Sequence, residues 1–246
     1  MRNTILGLSA VLLASVSAPA LADDAAPEDA IKLTGNVAGV SDYRFRGFTQ
    51  NSEDAAIQGG LTATHESGFY AGVWGSSIGF FGNTEVDLFA GYSKELVPGI
   101  TGDVGVLYYY YPVHGGSGGD FFEPYVNLTG AVGPATIKVG VNYAWKQGAL
   151  LDGLGNKSSA IYFHAEPSIA IPNTPLGLNA HLGYAKSDAF PGGPDGKVFD
   201  YSVGATATYK MLTLGVSYVN TDVKKSLGKE ALGADGAVVF SLTAAF

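Results

Sequence analysis

From residue 33 onward, apolar residues recur at every second position in stretches of about ten, which is the period of a β-strand and not the 3.6 of a helix. Ile137, Val139, Val141, Tyr143 and Trp145 share one face, against Lys138, Gly140, Asn142 and Ala144 on the other. Tyr201, Val203, Ala205, Ala207 and Tyr209 alternate with Ser202, Gly204, Thr206 and Thr208, and Leu212, Leu214, Val216 and Tyr218 with Thr213, Gly215 and Ser217. Followed along the chain, this alternation predicts twelve strands, at 33–46, 55–65, 69–79, 84–94, 101–111, 121–131, 135–146, 160–171, 176–186, 200–209, 212–221 and 237–246. The links at 66–68, 132–134, 172–175 and 210–211 are short, whereas 147–159, 187–199 and 222–236 are long, polar and Gly-rich. An even strand count, tight turns at one end and long loops at the other predict an all-β fold. It is a transmembrane antiparallel up-and-down β-barrel with short periplasmic turns, longer extracellular loops and both termini on the turn side.

A secreted β-sandwich also alternates, but large inward residues have to fill its core, about 10 Å thick. Here the polar faces are small, and Tyr143, Trp145, Tyr184, Tyr201 and Tyr209 fall at strand ends, where an interfacial aromatic girdle belongs. The chain closes on Val238, Phe240, Leu242, Ala244 and Phe246 on one parity. That ending resembles the C-terminal strand of bacterial outer-membrane proteins, which implies recognition by the barrel-assembly machinery with Phe246 as assembly signal.

The first residues read as an address. Arg2 precedes an apolar run from Ile5 to Val16, and Ala20-Leu21-Ala22 is a small-x-small site followed by Asp23-Asp24. We expect a signal peptide over 1–22 and a mature barrel over 23–246. The apolar run is short against the roughly 20 residues of a membrane-spanning helix, and Pro19 would break it. No later apolar stretch is long enough for such a helix.

Composition narrows the chemistry. The 246 residues contain no cysteine, which excludes a disulfide scaffold, a thiolate metal site and a cysteine nucleophile. A net charge of -8 and a pI near 4.8, without any Lys/Arg cluster, leave no footprint for nucleic acid. Glycine at 35 residues is about twice its usual share.

A second resemblance rests on longer motifs. Ser41-Asp42-Tyr43-Arg44-Phe45-Arg46-Gly47, then Ile57-Gln58-Gly59-Gly60-Leu61, then His65-Glu66-Ser67-Gly68-Phe69-Tyr70-Ala71-Gly72-Val73-Trp74, are similar to the opening of the TorF family of porins. The likeness is strongest over 37–94 and implies an outer-membrane channel without naming its solute.

Inward residues decide whether a twelve-stranded barrel is hollow, since eight strands enclose only side chains and sixteen an aqueous channel. On the parity above, Gln58, Gly60, Thr62, Thr64, Gly72, Ser76, Gly140, Asn142, Gly177, Asn179 and Gly183 face inward. They are too small to plug the lumen, so a narrow water-filled pore is expected unless 147–159 or another long loop folds inward. Charged residues on the inward parity are candidates for pore lining, because facing lipid would be costly. These are Asp42, Arg44, Arg46, Glu85, Asp87, Glu123, Glu166 and His181. Solvated mouth charges or structural ion pairs are the plainer reading, above all for Glu85 and Asp87. Pro124 and Pro167 each remove a ladder donor inside a strand, so a bulge or shifted register is expected there. A four-residue turn at 172–175 would place Ile169 opposite Leu178 and Glu166 opposite His181, with the last two expected to pair in the lumen.

Enzymatic constellations do not assemble. His65 falls at a turn and His114 in a loop, leaving His164 and His181 within strands, and no His-Glu-x-x-His is present. The loop with Pro191-Gly192-Gly193-Pro194-Asp195-Gly196 lacks EF-hand spacing and reads as a turn. The sequence therefore predicts a porin passing small hydrophilic solutes or ions, with no catalytic site, metal or cofactor, and with outer-membrane lipid around it. A plugged structural or adhesin-like barrel and a lipid-active enzyme are the alternatives.

Overall fold

The computed structural model describes residues 30–112 and 119–246. The predicted signal peptide and His114 lie outside the described residues. Fourteen strands follow in order: β1 (Ile31–Val40), β2 (Arg44–Phe45), β3 (Phe48–Thr49), β4 (Ala56–His65), β5 (Phe69–Ser77), β6 (Thr84–Val97), β7 (Ile100–Tyr110), β8 (Phe121–Val132), β9 (Ala135–Ala144), β10 (Ala160–Ala170), β11 (Leu176–Ser187), β12 (Lys197–Tyr209), β13 (Leu212–Thr221) and β14 (Ala237–Ala245). Twelve of them pair antiparallel with their neighbours, and β1 closes the ring by pairing with both β4 and β14. The result is a twelve-stranded closed up-and-down barrel, as the alternation predicts. A ring without edges satisfies every ladder internally, which is what lets strands sit in hydrocarbon. No helix among the described residues is long and apolar enough to cross a membrane.

The pleat sorts the side chains. Leu33, Val37, Ile57, Leu61, Val126, Leu128, Ile137, Val139, Val203, Leu214 and Leu242 stand on the outer face and are exposed. Aromatics rim this belt at both ends. Tyr143, Trp145 and Tyr184 lie beside the long loops, and Phe69, Tyr209 and Phe246 beside the short turns.

The prolines do not slip the register. Pro124 stands opposite Val106 and Pro167 opposite Ile137, both in continuous ladders. On its other side, Pro167 sits in a gap in the ladder between the pairs Ala165–Leu182 and Ser168–Asn179. Both pairs keep one register, so the missing N–H interrupts the ladder without shifting it. Ile169 does face Leu178. A register shift occurs at Glu95/Val97, beside a two-residue turn.

One element departs from its predicted course. The first wall strand stops at Val40 instead of continuing to 46. The chain then leaves the wall and folds back as the ribbon β2–β3, with Phe45 paired to Phe48. The turn between them is Arg46-Gly47, with φ of 50° and 84°. Two consecutive positive φ values match the type I′ turn, which suits the twist of a two-stranded ribbon. Gly47 accepts that geometry freely, while an L-residue such as Arg46 pays about 1 kcal/mol or more.

Candidate functional site

The ribbon enters the mouth of the barrel, and the side chains of 41–55 meet the inner wall from several directions. Tyr43 is edge-on to Trp74 of β5, with centroids 5.6 Å apart, and Phe45 is edge-on to Tyr109 of β7 at 5.9 Å. Phe48, 1% exposed, joins Val198, Val223 and Ala234 in a small core on the opposite side. Arg44 ties the ribbon to the 222–236 loop. Its Nη1 donates to the carbonyls of Gly233 and Asp235 at 3.0 Å each, and its Nε lies 2.5 Å from Asp42 Oδ2.

Arg46, at the strained tip, reaches furthest. Its Nη2 donates to both carboxylate oxygens of Glu123 at 2.7 Å, and its guanidinium lies 4.1 Å from the ring of Tyr162 and 4.7 Å from that of Phe45. Glu123 Oε2 also accepts from Tyr109 and from Asn142 Nδ2, at 3.1 Å each. This clasp joins residues 77 apart in sequence across the bore. Strain at a non-glycine residue persists when its surroundings over-determine it, and the clasp supplies that determination.

Strand parity places Glu85, Asp87, Glu123, Glu166 and His181 on the inner face, as expected. Asp42, Arg44 and Arg46 also lie inside, but on the ribbon and not on a wall strand. Glu85 accepts from the hydroxyls of Tyr43 and Tyr111 at 2.7 Å each. The expected Glu166–His181 pair does not form. Glu166 instead meets Lys138 Nζ at 2.5 Å and His164 Nδ1 at 2.9 Å. His181 Nε2 lies 2.7 Å from the Tyr162 hydroxyl and 3.0 Å from Asp200 Oδ1. Lys138 on β9 and Asp200 on β12 are partners that a two-strand register argument does not see, while His164 and Tyr162 compete from β10 itself.

The interior is not uniformly small. Most wall strands change character along their length, with buried inner residues at the loop end and part-exposed ones at the turn end. Tyr109, Phe121, Tyr125 and Tyr162 fill the loop half with the ribbon, whereas Ser93, Thr129, Ser168, Gly177, Asn179 and Thr206 line the turn half, and Tyr70 reaches from the turn end over Gly91 to meet Asp103 and Tyr125. The expectation that inner side chains are too small to fill the lumen therefore holds only for the turn half. The main inward-folding segment is 41–55, and the 147–159 loop adds Leu150, which is buried in the same cluster as Tyr43, Trp74 and Tyr109. Reading aromatics only as girdle residues missed Tyr109, Tyr125 and Tyr162, although their parity already placed them inside.

Acidic and basic side chains are unequally represented among the buried and half-buried interior residues. Asp42, Glu85, Asp87, Asp103, Glu123, Glu166 and Asp200 stand against Arg44, Arg46 and Lys138, with His164 and His181 among them. No group of three His, Cys, Asp or Glu among the described residues is arranged to hold a metal ion. The spacing Gly-x-Ser-x-Gly does occur, at Gly75 to Gly79 and at Gly115 to Gly119. In the first, Ser77 ends β5 and accepts from the Ile57 N–H at 3.0 Å, as a strand residue without a histidine partner among its described bonds. Ser117 of the second lies outside the described residues.

These features define a closed twelve-stranded barrel whose mouth is narrowed by an inward ribbon and whose interior is rich in carboxylates. By sequence, the chain belongs to the family Gcw_chp, described as a bacterial protein of unknown function, whose model matches residues 24–246. A comparison with curated proteins finds no match. In fold it is similar to the NanC porin, with a TM-score of 0.61 and 15% identity, covering 86% of this chain and 98% of that one. It is likewise similar to the KdgM porin, at 0.57 and 8% identity over 87% and 98% of the two chains. KdgM porin in complex with disordered oligogalacturonate gives 0.55 at 8% identity, with the same coverage.

Proposed function

We propose that this protein is an outer-membrane channel of porin type for small hydrophilic solutes, with its bore set by the 41–55 segment and a preference for cations. The observation that carries this reading is the two-part interior. A turn half of mostly Gly, Ser, Thr and Asn, crossed by the Tyr70–Asp103 and Lys138–Glu166 contacts, opens onto a loop half where charged and aromatic groups converge on Arg46. A barrel serving only as a wall has no use for costly ionisable groups at membrane depth. Opposed charges at a constriction act on whatever passes. The resemblance of residues 37–94 to TorF porins supports the same reading, as does the fold shared with the NanC and KdgM porins.

The seven inner carboxylates outnumber the three inner Arg and Lys side chains, which opposes an acidic solute of the kind described for KdgM and favours cations and neutral solutes. The filled loop half favours one second reading, a plugged structural barrel. Liposome swelling with neutral sugars of graded size separates the two. Swelling with the smallest sugars that falls off steeply with size supports the channel, and no swelling with any of them supports the plug.

A further inference from the structure

We propose that Asp87 is the binding site of a desolvated monovalent cation, an alkali ion or the ammonium of a small organic solute, beneath the inward ribbon. The proposal deepens the channel reading and rests on it. Asp87 is 1% exposed, and neither carboxylate oxygen has a hydrogen-bond partner or an ion pair among the described residues. Its two acidic neighbours are provided for. Glu85 takes two tyrosine hydroxyls, while Glu123 takes Arg46, Tyr109 and Asn142. A buried carboxylate without donors is expensive, and this chain satisfies the carboxylates on either side of it. The exception points to a partner that the chain does not supply.

The surroundings define that partner. The charged neighbours are Glu85 and Glu123, the second of them already paired with Arg46, so an anion is disfavoured at Asp87. The absence of a three-ligand acidic or histidine group among the described residues leaves a divalent ion without its coordination shell. Aromatic rings fence the site. Asp87 lies directly opposite Trp74 on one side and Tyr109 on the other, and Phe89 follows on the same face. Tyr43 and Phe45 of the ribbon pack on those two flanking rings. A carboxylate flanked by aromatic rings, with no donor of its own, suits a cation that has shed its water. Beyond Phe89, Gly91 and Ser93 are part-exposed, so the site stands where the water-open half meets the filled half.

The test uses the full-length protein, purified in detergent and reconstituted in a planar bilayer. Under a potassium chloride gradient and a methylammonium chloride gradient, the wild type should favour the cation, and its conductance should saturate with cation activity. Asp87→Asn, whose folding is checked by gel mobility before and after boiling, should move the reversal potential toward zero and make conductance linear. The gradient showing the larger shift identifies the preferred cation. A second measurement needs no current. In a Trp145→Phe background, Trp74 fluorescence should change saturably with potassium or methylammonium at ionic strength held by N-methylglucamine chloride, and Asp87→Asn should abolish the change. Current without a fluorescence change, and with the reversal potential unmoved by Asp87→Asn, overturns the site and leaves the channel standing; this is the result expected if Asp87 simply holds a proton. A saturable fluorescence change in a protein that carries no current overturns the channel and leaves the site standing.

Discussion

Replacing Arg46 with Ala removes the cation from a clasp that is almost wholly withdrawn from solvent. The side chains of Arg46 and Glu123 are 7% and 1% exposed. Removing one partner of a buried ion pair costs about 3–5 kcal/mol, because the other is left as an uncompensated charge. Glu123 would keep its bonds to Tyr109 and Asn142, which argues for the lower end of that range. Loss of the guanidinium from between Phe45 and Tyr162 adds about 0.5–2 kcal/mol. Alanine does not relieve the positive φ at position 46, so strain returns little. A shift of about 3 kcal/mol changes the ratio of inward to displaced ribbon by about a hundredfold. Single-channel recording should therefore show larger or longer open steps in Arg46→Ala. The wall ladders are untouched, so the temperature at which gel mobility changes should stay near that of the wild type. The double variant Arg46→Ala, Glu123→Ala should be less perturbed than the sum of its parts, since neither charge is left alone. Unchanged conductance in a correctly folded Arg46→Ala protein, or a double variant worse than the sum, would refute the clasp.

Three further outcomes follow from the same geometry. Gly47→Ala puts a Cβ at a φ of 84° and against the Thr221 side chain, so it should displace the ribbon and raise conductance much as Arg46→Ala does. Gly183→Ala drives a Cβ into the Tyr162 hydroxyl and Asp200, and should lower heat resistance on detergent gels by breaking the Tyr162–His181–Asp200 cluster. Deleting Phe246 removes two backbone bonds to Gly35 across the closing seam, at 2.8 and 2.9 Å, and should leave little heat-modifiable barrel in membrane fractions.

Much of this architecture is written locally. The period-2 alternation of residues such as Ile137 to Trp145 depends only on which face meets an apolar surround, so strands and turns could be read segment by segment. The register followed from the short hairpin at 171–176. The ribbon was hidden for a related reason. Residues 41–46 keep the strand period, and nothing local distinguishes continuing along the wall from folding across its mouth. What turns the chain inward is the sum of distant contacts, Arg46 with Glu123 and Arg44 with the carbonyls of Gly233 and Asp235. Partner choice failed on the same ground. Glu166 and His181 do face inward, but an inner side chain has neighbours on both flanking strands and across the bore, and the closer ones won.

If the lumen conducts, the 41–55 segment sets its width. Single-channel recording in a planar bilayer, comparing the wild type with a variant in which 42–54 is replaced by a short Gly-Ser linker, tests it most directly. The wild type should give small, cation-selective steps and the variant markedly larger ones. Silent bilayers with both proteins, each shown to be folded by its gel mobility, would contradict the channel reading.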